Sequence, residues 1–131
     1  MATIFTKIIN REIPGHIVAE DDQYIAFLDI NPLKEGHTLV VPKVEVDYVF
    51  DLDHQTLAGL FSFSKRVAKA IEEVVECDRV GVTVIGLEVP HAHVHLIPIN
   101  TMDDMNFANM KLSFAKEEME AMAKKINQKF S

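Results

Sequence analysis

The sequence predicts an α+β fold built on a mainly antiparallel sheet. Short strand-like segments lie before and after one long helical pattern, and a second helical pattern ends the chain. Strands grouped around one long helix and followed by a terminal helix are typical of this class. The 131 residues are expected to form one domain over residues 1–131, which is enough chain to bury about two-thirds of its unfolded surface.

The first half of the chain carries the patterns of a short helical turn and three strands. Residues 3–9 predict the helical turn. Residues 16–20 and 24–29 predict two strands, and the polar connection 20–23 between them predicts a hairpin. Residues 38–42 predict a third strand, and its final proline suits a strand end.

The second half carries two helical patterns with strands between them. Apolar residues recur at the spacing of one helix face over about residues 54–76, which predicts a long amphipathic helix. A strand is predicted over residues 79–85 and is ended by Gly86, after which a histidine-containing strand follows. A last helix is predicted over about residues 114–129, with Ser113 as its candidate N-cap.

The composition is that of an ordinary globular protein. Apolar residues make up 48% and charged residues 25%, and 13 basic against 20 acidic side chains give a net charge of −7. Without a lysine or arginine run, polymeric nucleic acid is not expected as a partner. No apolar stretch approaches the roughly 20 residues that span a bilayer, and the N-terminus does not have the pattern of a secretory signal, so no membrane partner is expected. The single cysteine, Cys77, cannot form an intrachain disulfide, which favours a cytoplasmic location.

Three alternating histidines are the most informative feature of the chain. Since successive side chains of a strand point to opposite faces, His91, His93 and His95 are expected on one face. Imidazoles suit acid, base and nucleophilic chemistry near neutral pH. Two alternatives stay open at this point. The histidines could be hydrogen-bonded core residues, or two neighbours, roughly 6.6 Å apart at their bases, could bind a metal together with a ligand from elsewhere.

The triad is part of a longer resemblance. The pattern His-φ-His-φ-His-φ-φ, in which φ is apolar, is the signature of the histidine triad (HIT) proteins, and this chain resembles them over nearly its full length. Further blocks that resemble the family occur in the same order along the chain, over residues 4–9, 12–14, 20–22, 26–32 and 36–43. The resemblance implies the HIT-like fold, with a five-stranded sheet and helices on one side of it. It also implies a homodimer whose two sheets join into one of ten strands.

The resemblance also implies a role for each site histidine. In the family the middle histidine, here His93, attacks phosphorus and forms a covalent nucleotidyl-imidazole that water then hydrolyses. Backbone near His91 accepts a hydrogen bond that fixes the tautomer of the nucleophile. His95 and His37 are expected to hydrogen-bond the phosphate or orient the nucleophile. No cofactor and no metal ion are implied.

Nucleotide recognition is implied in the first half of the chain. Asp29 matches the carboxylate that accepts hydrogen bonds from both ribose hydroxyls. An apolar slot that sandwiches the base is implied by five residues, Ile4, Phe5, Ile8, Phe27 and Ile30. The slot has no obvious polar group that could read the base edge, so discrimination among bases is expected to be modest, with purines favoured by their stacking area.

Two departures from the family pattern bear on the site. The usual Gly-Gln-Ser/Thr-Val stretch before the triad is replaced here by residues 86–90, so Leu87, Glu88 and Val89 are expected beside the phosphate or the leaving group. Many family members also carry a Cys-x-x-Cys pair near the start that helps to hold a structural zinc. Thr3 and Thr6 occupy those positions, and because hydroxyls are poor zinc ligands the zinc site is predicted to be absent.

Taken together, the residues and the resemblance predict a nucleotide-binding hydrolase. The expected substrates are nucleoside 5′-phosphoramidates or related nucleotidyl conjugates, most often of a purine nucleotide. A dinucleoside polyphosphate hydrolase is the alternative enzyme. A nucleotide-binding interaction module with little turnover is the alternative that is not an enzyme.

Overall fold

A computed structural model describes residues 2–131 and contains one five-stranded antiparallel sheet. The strands are β1 (Ile17–Glu20), β2 (Tyr24–Leu28), β3 (Thr38–Pro42), β4 (Arg79–Thr83) and β5 (Val94–Ile99). Their order across the sheet is β1-β2-β3-β5-β4, and each neighbouring pair is antiparallel. The helices are α1 (Ile4–Ile9), α2 (His54–Val74) and α3 (Lys116–Lys129). The predicted α+β class with a mainly antiparallel sheet is therefore confirmed.

The two faces of the sheet are covered differently. Tyr24, Ala26 and Leu28 of β2 pack in the larger core cluster with α2 and α3. The intervening residues Ile25 and Phe27 point to the other face, where they pack with α1. The expectation that helices lie on one side only is therefore wrong for α1. The sequence of β2 does not indicate which face is covered by helices, because every residue of this strand is buried and neither face is polar.

The long helix anchors the larger core. Its N-cap is Asp53, whose carboxylate accepts a hydrogen bond from the backbone N–H of Thr56 at 2.7 Å. Leu60, Val67 and Ile71 are fully buried on the face towards the sheet. Burial of each such side chain stabilises the fold by about 1.5–3 kcal/mol. The helix therefore covers one face of the sheet, and the opposite face carries α1.

Three predicted boundaries differ from the structure. The last helix begins at Lys116, with Ala115 and not Ser113 at the N-cap position. Ala115 has no capping side chain, and the Glu118 carboxylate instead accepts a hydrogen bond from the Ala115 N–H at 2.8 Å. Strand β4 ends at Thr83, and the ladder of β5 begins only at Val94. His91 and His93 therefore precede the hydrogen-bonded strand.

The loop between β2 and β3 turns at Gly36, which has φ +91°. A Cβ atom at this position would lie 2.9 Å from a methyl group of Val75. Glycine is therefore required for both conformation and space, and its turn delivers His37 to the start of β3. Among residues 2–131, no helix is both long enough and apolar enough to cross a membrane.

Candidate active site

Four histidine rings meet on the sheet face that carries α1. His95 belongs to a cross-strand row in which Phe27 pairs with Leu39, and Leu39 pairs with His95. Ala92 and Val94 point the other way, into the larger core. The ring centroids of His93 and His95 are 4.9 Å apart, and those of His95 and His37 are 5.2 Å apart. The predicted alternation of the triad is confirmed, although only His95 lies within the ladder.

The protonation of His93 follows from one backbone contact. Its Nδ1 lies 2.7 Å from the carbonyl oxygen of His91. A carbonyl oxygen can only accept, so Nδ1 carries the proton and donates it. The neutral ring then has a bare Nε2 with its lone pair available. Burial lowers the pKa of His93, which keeps the ring neutral and nucleophilic near neutral pH.

A second backbone group sets the protons of His37 and His95. The N–H of Leu33 donates to Nδ1 of His37 at 3.0 Å. Nε2 of His37 therefore carries the proton, and it lies 3.0 Å from Nδ1 of His95. Because that Nδ1 accepts, the remaining nitrogen of His95, Nε2, must carry a proton. This chain of hydrogen bonds from Leu33 through His37 to His95, here called the relay, ends in the Nε2–H donor of His95, on the ring beside His93.

Burial reinforces this neutral arrangement. Burial, followed by the charge that His95 would carry, lowers the pKa of His37 to about 3. Burial and the neighbouring His93 lower the pKa of His95 to about 4. Burial also lowers the pKa of His91. Protonation of any of these rings would place a charge in a poorly solvated site and break a hydrogen bond, so the group works as neutral donors and acceptors.

His91 is held on both ring nitrogens. Its Nε2 lies 2.8 Å from the carbonyl oxygen of Pro42, so this nitrogen carries the proton. Its Nδ1 is an acceptor, and the hydroxyl of Thr3 lies 3.1 Å away. Throughout residues 2–131, every buried side-chain nitrogen or oxygen has a hydrogen-bond partner. Each of the four histidines therefore has a hydrogen bond that assigns its proton, while Nε2 of His93 and Nε2 of His95 are not used by these hydrogen bonds.

Asp29, His37 and His95 are close enough to present three ligand atoms within 4.8 Å of one another. A cation there would need the lone pair of His37 Nε2. That nitrogen carries the proton, because Leu33 donates to Nδ1 of the same ring. The opposite tautomer would set two N–H groups against each other. The donor set therefore does not fit a metal ion, and no step of the chemistry below uses one.

The predicted nucleotide-binding residues divide into a buried and an exposed group. Phe5, Ile8 and Phe27 are buried in one cluster, with the rings of Phe5 and Phe27 edge to face at a centroid distance of 5.4 Å. Ile4 and Ile30 are 49% and 68% exposed. The cluster places Phe5 edge-on to His93 at 4.9 Å. Apolar surface thus lies directly beside His93, with two isoleucines open to solvent.

Asp29 lies at the end of β2, beside the histidine relay. One carboxylate oxygen accepts a hydrogen bond from the N–H of Asn31 at 2.8 Å, and the other lies 3.6 Å from Nε2 of His37. Burial raises the pKa of Asp29, and the charge of Glu88 adds to this effect. Free lone pairs remain on both oxygens for the hydroxyl groups of a ligand.

The segment before the triad divides as well. Leu87 is 88% exposed and lines a surface cleft that reaches His93. Val89 packs against the cluster of Phe5. Glu88 is exposed. Its charge partly opposes the lowering of the His93 pKa by burial and adds to the raising of the Asp29 pKa. The carboxylate therefore acts electrostatically on the site.

The sequence did not reveal the segment 107–112, which covers the relay and is here called the roof. Phe107 packs edge-on against His95 at 5.0 Å and His37 at 6.2 Å. Lys111 donates to the carbonyl of Phe107, and its charge helps to lower the pKa of His37. The tether is the N–H of Leu112, which donates to Pro32 at 2.8 Å. The only signal in the sequence is an aromatic residue within a polar segment, which does not indicate what it covers.

The chain is similar in sequence to a known protein family. A family model described as the HIT domain matches residues 10–102, which include all four site histidines. The chain belongs to the HIT family. The resemblance of the histidine triad and its flanking blocks to this family is therefore confirmed.

Relatives of this HIT protein include both uncharacterised proteins and enzymes. An uncharacterised HIT-like protein of Borreliella burgdorferi is 34% identical over 132 residues, covering 95% of each chain. The purine nucleoside phosphoramidase of Escherichia coli is 36% identical over 105 residues, covering 72% of this chain and 85% of the enzyme. The crystal structure of a HIT-like protein of Bartonella henselae matches with a TM-score of 0.82 and 34% identity, over 98% of this chain and 96% of that one. Some relatives of this chain are thus phosphoramidases.

Proposed function

We propose that this protein is a nucleotide-binding hydrolase that cleaves nucleoside 5′-phosphoramidates or related nucleotidyl conjugates through a covalent intermediate on His93. The observation that carries the proposal is the bare Nε2 of His93, fixed by the 2.7 Å hydrogen bond from Nδ1 to the carbonyl of His91. An N–H donor on His95 lies on the neighbouring ring. A nucleophile beside a donor is the pairing that transfer at phosphorus requires.

The reaction has two steps in this arrangement. Nε2 of His93 forms a bond to phosphorus as the bond from phosphorus to the leaving nitrogen breaks, and the amine departs with one proton from solvent. The positive charge that develops on the imidazole is stabilised through Nδ1–H by the His91 carbonyl. Water then attacks phosphorus, the bond to Nε2 breaks, and one proton returns to solvent. The His95 N–H stabilises the phosphoryl oxygens in both steps.

Substrate contacts extend from this centre. Asp29 accepts hydrogen bonds from the ribose hydroxyls, and the base packs along Ile4, Phe5 and Ile30. Purines gain most because their stacking area is larger. The carboxylate of Glu88, on the leaving-group side, favours an amine that carries a positive charge.

The decisive experiment is hydrolysis of adenosine 5′-phosphoramidate by the wild type and by His93→Ala. We expect the variant to lose activity by on the order of 10⁴-fold or more, as for other nucleophile deletions. His54→Gln is the matched control, since His54 is an exposed residue in the first turn of α2, on an element outside the site. Quenching during turnover should recover a labelled nucleotidyl adduct on His93.

Two results would point to another function. Preference for diadenosine polyphosphates over the phosphoramidate would favour a dinucleoside polyphosphate hydrolase. Tight binding of AMP without turnover of any conjugate would favour an interaction module. Retention of full activity by His93→Ala would refute the nucleophile itself.

We also propose that the single domain of this chain pairs into a homodimer through β4. This strand is at the edge of the sheet, and an unpaired edge is a ready site for pairing. Val82 of β4, Ile85 after it and Phe61 of α2 are exposed large apolar residues. A second copy pairing with β4 would extend the sheet to ten strands and cover this surface.

A further inference from the structure

An exposed carboxylate is joined to the active site through two threonines. Oε1 of Glu45 accepts a hydrogen bond from the backbone N–H of Thr3 at 3.1 Å and a second one, at 2.5 Å, from the hydroxyl of Thr6. The hydroxyl of Thr3 lies 3.1 Å from Nδ1 of His91. Thr3 thus joins Glu45, 42 positions away in sequence, to the ring of His91, 88 positions away.

The direction of each hydrogen bond can be assigned. Nε2 of His91 faces the Pro42 carbonyl and carries the proton, so Nδ1 must accept. The hydrogen bond from the Thr6 hydroxyl lowers the pKa of Glu45, so at neutral pH this carboxylate is ionised and only accepts. The proton of the Thr6 hydroxyl is therefore directed to Glu45. The single proton of the Thr3 hydroxyl then has two acceptors within reach, Nδ1 of His91 at 3.1 Å and the oxygen of Thr6 at 3.3 Å, and the shorter contact is the one to His91.

We propose that Thr3, Thr6 and Glu45, here called the threonine–glutamate cluster, are positioning residues for the nucleophile. The cluster holds the plane of the His91 ring, whose tautomer the Pro42 carbonyl sets. The carbonyl of this same residue holds Nδ1–H of His93. The inference rests on the proposed function only where His93 is taken as the nucleophile.

Loss of the cluster would have a defined consequence for His91. Without the Thr3 hydroxyl, Nδ1 of the buried ring has no strong donor, since the hydroxyl of Thr6 lies at 3.4 Å and is committed to Glu45. The opposite tautomer would direct a lone pair of Nε2 at the Pro42 carbonyl, now 2.8 Å away. With one of its two hydrogen bonds lost, the ring would anchor residue 91 less firmly, and the carbonyl that faces Nδ1 of His93 would be less well fixed.

The cluster also sets the position of α1. Thr3 is the N-cap of this helix, and its hydroxyl accepts a hydrogen bond from the Thr6 N–H at 3.1 Å. The helix carries Phe5, whose ring packs edge-on against His93 at 4.9 Å. One carboxylate therefore controls both the ring before the nucleophile and the aromatic wall beside it.

The first test compares Thr3→Val with Thr3→Ser. Valine has nearly the shape of threonine without its hydroxyl, whereas serine keeps the donor and the helix cap. Imidazole ¹⁵N shifts of the ligand-free protein should show His91 protonated at Nε2 in all three proteins, with the Nδ1 signal displaced only in Thr3→Val, where this nitrogen loses its hydrogen bond. With adenosine 5′-phosphoramidate, kcat of Thr3→Val should fall by about ten- to a hundredfold, as expected for a small misplacement of reacting groups. KM should change less than kcat, since the ribose contact of Asp29 is untouched.

The second test uses the exposed end of the cluster, where substitution leaves the core intact. Glu45→Ala should lower kcat in the same manner as Thr3→Val, whereas Glu45→Gln keeps an acceptor oxygen and should recover most of it. Glu73→Gln is the control, because this exposed glutamate on α2 is remote from His91 in sequence and on another element.

Two results would overturn the proposal. One is a His91 Nδ1 signal in Thr3→Val that matches the wild type. The other is an unchanged kcat in both Thr3→Val and Glu45→Ala. If the wild type hydrolyses no nucleotidyl conjugate, the proposed function fails, and the ¹⁵N spectra of the ligand-free proteins still decide whether the cluster fixes His91.

Discussion

Acidification should destabilise this protein through the relay of His37 and His95. Burial lowers their folded-state pKa values from 6.5 to about 3 and to about 4. The unfolded chain, with pKa values near 6.5, therefore binds more protons than the folded chain below that pH. The free energy of unfolding falls as the pH drops below about 6.5, and the fall continues to about pH 4 for His95 and about pH 3 for His37.

The size of the effect follows from these values. At about pH 5, each ring contributes about 2 kcal/mol of lost stability, because an unfolded imidazole is then about 97% protonated and a folded one is largely neutral. The two together give about 4 kcal/mol, against a typical total of about 5–15 kcal/mol. His91 and His93, whose pKa values burial also lowers, add to the loss.

Urea unfolding followed by circular dichroism measures this. With an m-value of about 2 kcal/mol per M, the midpoint should fall by about 2 M between about pH 7.5 and about pH 5. Protein concentration must be held fixed, since a dimer links stability to concentration. His37→Gln should show about half of the pH dependence, and His54→Gln should show all of it. An equal midpoint at both pH values, or full pH dependence in His37→Gln, would refute the neutral relay.

Three further predictions concern the ligand, the roof and the edge strand. Asp29→Asn should weaken AMP binding about ten- to a hundredfold, the value of a hydrogen bond to a charged group, and should barely affect 2′,3′-dideoxy-AMP; equal losses by calorimetry would contradict the ribose contact. Phe107→Ala should admit water to His95, raise its pKa towards 6.5 and move the acidic limb of the kcat/KM profile upwards in pH; an unmoved profile would exclude this role. Val82→Glu should give a monomer by light scattering while Lys125→Glu, on α3, keeps the dimer; a Val82→Glu dimer would contradict pairing through β4.

The sequence predicted those parts of the fold that depend on local periodicity. Strands β1 to β3 follow from short apolar runs bounded by turn residues, and helix α2 follows from helical spacing within one segment. The start of α3 was missed because Ser113 is a better capping residue than Ala115 by type. The structure instead satisfies the Ala115 N–H with the side chain of Glu118. A choice between two local solutions of similar energy cannot be made from residue preferences alone.

The candidate site could be predicted only to the level of its motif. The alternation of the triad gave the shared face of the three histidines, and the family resemblance added His37 and Asp29. Their tautomers depend on the N–H of Leu33 and the carbonyls of Pro42 and His91. Backbone groups are the same in every residue, so the sequence carries no sign of which of them face a ring. The contact between Thr3 and His91 spans 88 positions and was equally invisible.

Backbone groups control the proton positions of the histidines, and this would let the rings act on an anionic phosphoryl group, as proposed, while they carry no charge. A carbonyl and an N–H have fixed roles at any pH, whereas a carboxylate or an ammonium in their place would titrate or compete for the substrate. The His91 carbonyl fixes a bare nitrogen on His93, and the Leu33 N–H, acting through His37, fixes a donor on His95. Both outcomes hold only while the rings are neutral. The same burial that should make the protein sensitive to acid therefore keeps His93, the proposed nucleophile, uncharged at neutral pH.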